Sequence, residues 1–433
     1  MPVDTSSFPT HIDSLAGHSI ADLAQQFGTP TFVYDAEKIV QRVSDLSAFD
    51  VVRYAQKAAS NLAILDLVRK QGVVVDAVSA GEIQRALAAG YTPENTEHPP
   101  IVYTADIFDH EALALVIEHG IPINCGSPDM IDQYGAAIKA AGKTPLGITL
   151  RINPGFGHGH SQKTNTGGEQ SKHGIWHEQL EDCAARAEKN GLTVTGMHMH
   201  IGSGTDMQHL SQVCGAMETA AHVFGPTLQT ISAGGGLPTP YRDGEQCVDI
   251  AAYYDLWDAT RNRLSRAFGN DLSLEIEPGR YLAAESGSLI AEIRAIKTMG
   301  NNTYYLLDAG FNDLARPILY GAYHPMAVCF ASSEQSSADN RPLQDVIVGG
   351  PLCESGDIFT QEEGGFVCSR PLPQANVGDY LVIGCAGAYS SVMGSNYNSK
   401  PLASEVLLQD GKAHVIRRRQ TFQEMIAAES IPS

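Results

Sequence analysis

Four short stretches set reactive side chains beside glycine. Lys57 lies in YAQKA (54–58), His200 and Ser203 in HMHIGSG (198–204), Gly234, Gly235 and Gly236 in SAGGG (232–236), and Glu277, Pro278, Gly279 and Arg280 form EPGR. A lysine at a strand end that is partly withdrawn from water has a lowered pKa and can form a Schiff base with a carbonyl. A serine hydroxyl with neighbouring backbone amides can hold a phosphate, and glycines let the backbone come close to an anion. Each feature alone has a plain structural explanation. An isolated lysine is a solvated surface charge, a glycine triplet is a tight turn, and a carboxylate near a guanidinium is a salt bridge. An amine, an anion cradle, an imidazole able to stack and a carboxylate occurring together are hard to explain as packing.

All four stretches fall at the ends of short β-branched runs, where a parallel β/α barrel presents its chemistry. Eight such runs alternate with helical patterns, at 51–57, 73–79, 101–105, 121–127, 148–154, 194–202, 230–236 and 272–278. The alternation predicts βαβ units, and eight is the number that closes a barrel. One connecting helix has Ser127 as N-cap, Pro128 in the first turn, Ile131, Tyr134 and Ile138 on one face, and Gly142 as its stop. After Arg280 the pattern changes to strands and turns (NTYYLLDAG, QDVIVGG, DYLVIG, AHVIRRR). The expected fold class is therefore α/β: a (β/α)8 barrel over 36–285 and a mostly antiparallel β domain over 286–433, which the N-terminal segment 1–35 joins. The loop 156–174 follows the fifth run and greatly exceeds the roughly two to six residues usual for a βα connection, which predicts an active-site cover.

Composition narrows the function. The 433 residues, 43% hydrophobic and 18% charged, suit a soluble enzyme of more than one domain. No stretch approaches the ~18 apolar residues of a membrane span, and the opening residues lack the basic start and apolar run of a secretory signal, so a cytoplasmic protein without a membrane partner is expected. The net charge of −20 repels phosphate backbones, and the run Arg417, Arg418, Arg419 is too short to reverse it, which argues against nucleic acid. Eight cysteines without a CxxC pair indicate neither a zinc knuckle nor a disulfide framework, and read as mostly buried thiols. His198 and His200 alternate on one strand with His158 and His160 nearby, a pattern that metal-dependent barrel hydrolases use. The other tips hold a lysine, glycines and EPGR, so no metal is expected.

YAQKA, HMHIGSG, SAGGG and EPGR, with GPLCESGD (350–357) and YNSKP (397–401), resemble the alanine-racemase-like, fold-type III family of pyridoxal-phosphate decarboxylases, and within it the diaminopimelate decarboxylases. The similarity runs nearly end to end. It implies a homodimeric enzyme with shared active sites that converts meso-2,6-diaminopimelate to L-lysine and CO2 with pyridoxal 5′-phosphate. On that resemblance Lys57 carries the cofactor, His200 stacks on its ring, and Glu277 pairs with the ring nitrogen and keeps it protonated. Ser203, Gly236, Gly279 and Arg280 would hold the phosphate, Gly235 and Pro278 would also bind the cofactor, and Tyr389 would close the site. Cys353 would protonate the carbon that loses CO2, acting in the neighbouring subunit's site; an ordinary thiol, with a pKa of about 8.5, is mostly protonated at neutral pH.

The resemblance also assigns the substrate. Arg280, Arg316, Tyr320 and Tyr389 would line the substrate, the arginines and Tyr320 meeting its distal carboxylate, while Glu354 would take the amine at the other stereocentre. Two residues depart from the family pattern: Lys400 stands where arginine is usual, and Ala59 where Asn or Cys is common. An ammonium cannot reproduce a bidentate guanidinium contact. The rival readings are a related decarboxylase of another diamino or carboxylated polyamine substrate, a non-catalytic regulatory relative, and a metal-dependent barrel hydrolase. The presence of both Lys57 and Cys353 argues against the regulatory relative.

Overall fold

The computed structural model describes residues 6–92, 98–157, 166–200, 206–331 and 341–432. They form two compact units: Val40–Pro238 with Val248–Leu282, and Met1–Ile39 with Thr239–Cys247 and Ala283–Ser433.

The first unit is a closed parallel barrel. Its strands are β1 (Val51–Ala55), β2 (Val74–Ala77), β3 (Ile101–Ala105), β4 (Ile123–Cys125), β5 (Ile148–Asn153), β6 (Val194–His198), β7 (Thr230–Ser232) and β8 (Ser273–Ile276). Each pairs in parallel with the next, and β8 returns to β1 through Glu275 opposite Val51, which closes the ring. Barrel strands are covered on both faces, so they read as continuous apolar runs; all four residues of β2 are buried. The covering helices bury one stripe each. In Ile250–Phe268 the stripe is Tyr253, Trp257, Thr260 and Leu264, the start is capped by Asp249 accepting from the Ala252 N–H, and the stop is Gly269 at φ 72°. Pro128–Ala140 buries Ile131, Tyr134 and Ile138 as its periodicity predicts. Ser127 stands at its N-cap without a side-chain hydrogen bond, so there the proline, preset at helical φ, carries the start.

The second unit is built on the long strand Gly287–Met299. It pairs antiparallel with Thr31–Asp35, Asn302–Leu307 and Tyr380–Ile383. Two of this unit's pairings are parallel, Thr31–Asp35 with Ser404–Gln409 and Asn302–Leu307 with Leu343–Gly349. The N-terminal strand thus lies inside the sheet, and its Val33 joins Ile20, Leu23, Ile290, Val382, Val406 and Leu408 in one apolar cluster. Burying a side chain of this kind contributes roughly 1.5–3 kcal/mol. Among the described residues no helix is long and apolar enough to cross a membrane.

Candidate active site

The chemistry-bearing residues sit just past the strands. Ladder bonding ends at Ala55, His198, Ser232 and Ile276, so Lys57, His200, Gly234 and Glu277, expected within the strand runs, stand one or two residues past the strand ends. The Ala55 N–H donates to the Pro278 carbonyl at 3.0 Å, which ties the lysine turn to EPGR. Lys57 lies in the short turn Gln56–Ala58, which is held by Gln56 Nε2 donating to the carbonyls of Asp76 (3.3 Å) and Glu82 (3.2 Å). Tyr54 Oη donates to the carbonyl of buried Ala59 at 3.0 Å. That contact uses only the backbone of residue 59, so the Ala59 departure leaves it intact. The desolvation expected for Lys57 is not observed in this chain: its neighbours Gln56 and Ala58 are buried, while Lys57 itself is exposed.

Just past the eighth strand is a laced carboxylate. Glu277 is buried; Ser232 Oγ donates to its Oε1 at 3.0 Å, and His198 Nε2 lies 2.8 Å from its Oε2. Burial alone would raise the Glu277 pKa, but His198, Arg53 and His200 overcome this and hold the carboxyl well below the usual carboxylate range. His200 is half-buried and neutral, because burial first, and then the charges of Arg151 and Lys57, depress its pKa well below the usual value. The Gly235 N–H donates to His200 Nδ1 at 2.8 Å, which leaves the ring hydrogen on Nε2. The glycines are required by space. A Cβ on Gly234, at φ 64°, would stand 2.4 Å from the Met199 carbonyl oxygen, and one on Gly235 would stand 2.4 Å from that of Glu277. Gly236 is also in the left-handed region, at φ 97°, while Pro278 and Gly279 are buried and Arg280 opens the next helical turn.

These residues suit pyridoxal phosphate. A permanently ionised carboxylate fits a pyridinium nitrogen, a neutral imidazole fits a ring face, and a glycine cradle that no Cβ could share fits close backbone approach. Ser203, expected at the phosphate, lies outside the described residues, as do 158–165 of the long loop. The described base of that loop is firmly held. Asp106 Oδ2 lies 2.7 Å from His173 Nδ1, its Oδ1 accepts from the Gly174 N–H at 3.0 Å, and Thr166 Oγ1 donates to the His200 carbonyl at 2.8 Å.

Arg316, Tyr320, Cys353, Glu354 and Tyr389 belong to the other unit. Arg316 is buried; its Nη1 donates at 2.8 Å to His324 Nε2, whose Nδ1 in turn donates to the Gly384 carbonyl at 3.0 Å. Tyr320 shares the short helix Arg316–Tyr320 and is half-buried. Asp357, the last residue of GPLCESGD, shapes the turn carrying Cys353 and Glu354 by accepting from the N–H groups of Leu352 and Phe311, each at 2.8 Å. The Cys353 N–H donates to Asn398 Oδ1 at 2.8 Å, which links this motif to YNSKP. Of the eight cysteines five are buried, and Cys353 alone is exposed. Glu354 beside it is exposed too. Tyr389 holds φ 56°, a strained position for a tyrosine that directs the chain sharply at GAY. Lys400 places its charge on Asp313 and Asp357, and in both it partly offsets the rise that burial causes.

Sequence reasoning missed two residues at the barrel mouth. Asp76 on β2 is 3% exposed and Arg151 on β5 is 8% exposed, both inside runs that read as plain strand. Burial lowers Arg151, against the opposing pull of Asp106, Glu277 and Asp76.

A closed barrel with a lysine, a neutral histidine and a tight glycine turn just past its strand ends has the side chains that a pyridoxal-phosphate enzyme of the barrel type needs. Residues 36–284 match the family described as "Pyridoxal-dependent decarboxylase, pyridoxal binding domain". The chain is 52% identical to the diaminopimelate decarboxylase of Escherichia coli over 98% of its own length and 99% of the relative's. It is 51% identical to that of Streptomyces coelicolor over 97% of itself and 93% of the relative. A crystal structure of a diaminopimelate decarboxylase superposes with a TM-score of 0.90 at 52% identity, covering 94% of this chain and 95% of that one. The chain therefore belongs to the pyridoxal-dependent decarboxylase family, and its cofactor is pyridoxal 5′-phosphate.

Proposed function

We propose that this chain decarboxylates meso-2,6-diaminopimelate to L-lysine and CO2 in the cytoplasm, as a homodimer. The observation that carries the reading is the near full-length match to relatives bearing that name, in a chain that keeps Lys57, Cys353 and Arg316. Bound on Lys57, the cofactor supplies the electron sink for the pair left when CO2 departs. His200, Ser203, Gly235, Gly236, Glu277, Pro278, Gly279, Arg280 and Tyr389 hold it. Glu277, always ionised at physiological pH, keeps a proton on the ring nitrogen. The buried guanidinium of Arg316, steered by His324, takes the distal carboxylate with Arg280 and Tyr320, and Glu354 takes the distal amine.

Cys353 Sγ gives a proton to the carbon that has lost its carboxylate. Its exposure on its own unit suits service in a partner's site, which is the basis for the dimer. A site built around a buried partner for one substrate group rejects analogues lacking that group by roughly 10⁴-fold or more. CO2 release from meso-diaminopimelate should therefore exceed that from lysine or ornithine by orders of magnitude at equal concentration. Equal rates on lysine would overturn the substrate assignment.

A further inference from the structure

A guanidinium grips a carboxylate with two parallel hydrogen bonds only when its plane and direction are set. Two side chains set them for buried Arg316, from different sides. His324, fully buried, lies at the edge: Arg316 Nη1 donates to its Nε2 at 2.8 Å, and its Nδ1 donates to the Gly384 carbonyl at 3.0 Å. A guanidinium can only donate, so Nε2 carries the lone pair and Nδ1 the hydrogen. Tyr241 covers the face, with Arg316 Cζ 4.9 Å from its ring centroid. The Tyr241 ring also meets His324 edge-on, at 5.3 Å between centroids and 80° between planes, so the three side chains close a triangle. A second set of contacts holds the first. Arg242 Cζ and Arg370 Cζ lie 4.2 Å and 3.7 Å from the Tyr323 ring centroid, and Arg370 Nη1 donates to the His324 carbonyl. Glu245 Oε2 accepts from the N–H groups of Tyr241 (2.7 Å) and Arg242 (3.1 Å), which fixes the backbone that carries the ring. All these residues belong to one compact unit.

We propose that Tyr241 and His324 are positioning residues that aim Arg316 at the carboxylate on the far end of the substrate, and so set the preference for a substrate that has one. This role rests on the reading of meso-diaminopimelate as substrate. An aromatic ring beside an arginine is commonly plain packing, and any apolar side chain of that volume would then serve. Here the two contacts restrain different freedoms. The hydrogen bond to His324 fixes the direction of the fork, and the Tyr241 ring fixes its tilt. Losing either leaves the charge in place but mis-aims the fork, so a carboxylate keeps its attraction and loses its paired hydrogen bonds. The effect therefore falls on ligands that carry the far carboxylate. When CO2 leaves one end of diaminopimelate, that carboxylate stays in the product, L-lysine, and 1,5-diaminopentane is the same skeleton without it.

The test is calorimetric titration of the full-length, cofactor-loaded chain with L-lysine and with 1,5-diaminopentane. In Y241L the dissociation constant for L-lysine should rise about tenfold, the size of a desolvated cation–π contact. In H324L it should rise about 30-fold, the size of a hydrogen bond from a charged donor. Both variants should bind 1,5-diaminopentane as the wild type does. Y241F keeps the ring and H324Q keeps an acceptor where Nε2 stood, so both should hold L-lysine within about threefold of wild type. The KM for meso-diaminopimelate should rise in the same order while kcat changes little. An L-lysine constant within about twofold of wild type in either leucine variant, or equal weakening of both ligands, overturns the proposal. Thermal melts accompany each titration, and methionine, also ringless, replaces leucine at a position where the leucine variant fails to fold. Were the wild type to release no CO2 from meso-diaminopimelate, the substrate reading would fall. If it releases CO2 and the variants bind L-lysine unchanged, only the positioning role falls.

Discussion

Replacing Gly235 by alanine should damage cofactor binding far more than folding. The added Cβ would stand 2.4 Å from the Glu277 carbonyl oxygen and 3.3 Å from His200 Cε1. The backbone oxygen cannot give way without moving Glu277, whose N–H is fixed to the Gly234 carbonyl at 2.8 Å. The turn must retreat instead, which breaks the 2.8 Å hydrogen bond from the Gly235 N–H to His200 Nδ1. Overpacking costs about 1–3 kcal/mol and the hydrogen bond about 1 kcal/mol, together about 2–4 kcal/mol. The free chain relaxes part of this by shifting the turn, and binding must then restore the geometry, so the cost reappears in affinity. The dissociation constant for pyridoxal phosphate should rise between about 30-fold and about 1,000-fold. The assay is titration of the cofactor-free chain followed by the absorbance of bound cofactor, with thermal melts alongside. Gly215→Ala, in an exposed helix position with no atom within 4 Å of the new Cβ, is the control and should leave the constant unchanged. A Gly235→Ala constant within twofold of wild type would refute the cradle.

Other outcomes follow from the same geometry. Arg316→Ala should lose most activity on meso-diaminopimelate while the cofactor constant stays at the wild-type value; unchanged steady-state kinetics would refute its role at the distal carboxylate. The Asp76 pKa is raised in the fold, to about 8. Its contribution to stability is therefore full below its unfolded value near 4 and is lost as the pH climbs toward 8. Thermal melts of Asp76→Asn and wild type should accordingly diverge progressively across that interval in favour of the variant, and a constant offset would contradict the shift. Glu277 has the opposite sign: its lowered pKa stabilises the fold above the unfolded value near 4.5, and that share is lost as the pH falls further. Glu277→Gln should remove this acid-side loss in the same melts.

The barrel was legible because its strands are two-sided and apolar, so each left an unbroken β-branched run bounded by turn residues. The motifs were legible because an amine, an imidazole, a glycine triplet and a carboxylate gathered at four strand tips are hard to explain as packing. Asp76 and Arg151 were not, since a charged residue inside a strand looks the same whether it points to solvent or into the barrel; only the closed ring decides. The Asp106–His173 contact also escaped notice, because its partners are far apart in sequence and meet only when the base of the loop folds back. The tips themselves were placed one or two residues inside strands that end sooner. β-branched runs continue past the last ladder bond, and sequence does not mark where pairing stops. Ser127 shows the reverse error: a residue of the right type at an N-cap, where proline geometry already fixed the helix start.

The most direct test is to reduce the cofactor-loaded protein with borohydride and locate the pyridoxyl group by peptide mass spectrometry. The account predicts a single stable adduct on Lys57, with CO2 release from meso-diaminopimelate abolished in the same sample. An adduct on any other lysine, or none at all, would contradict it.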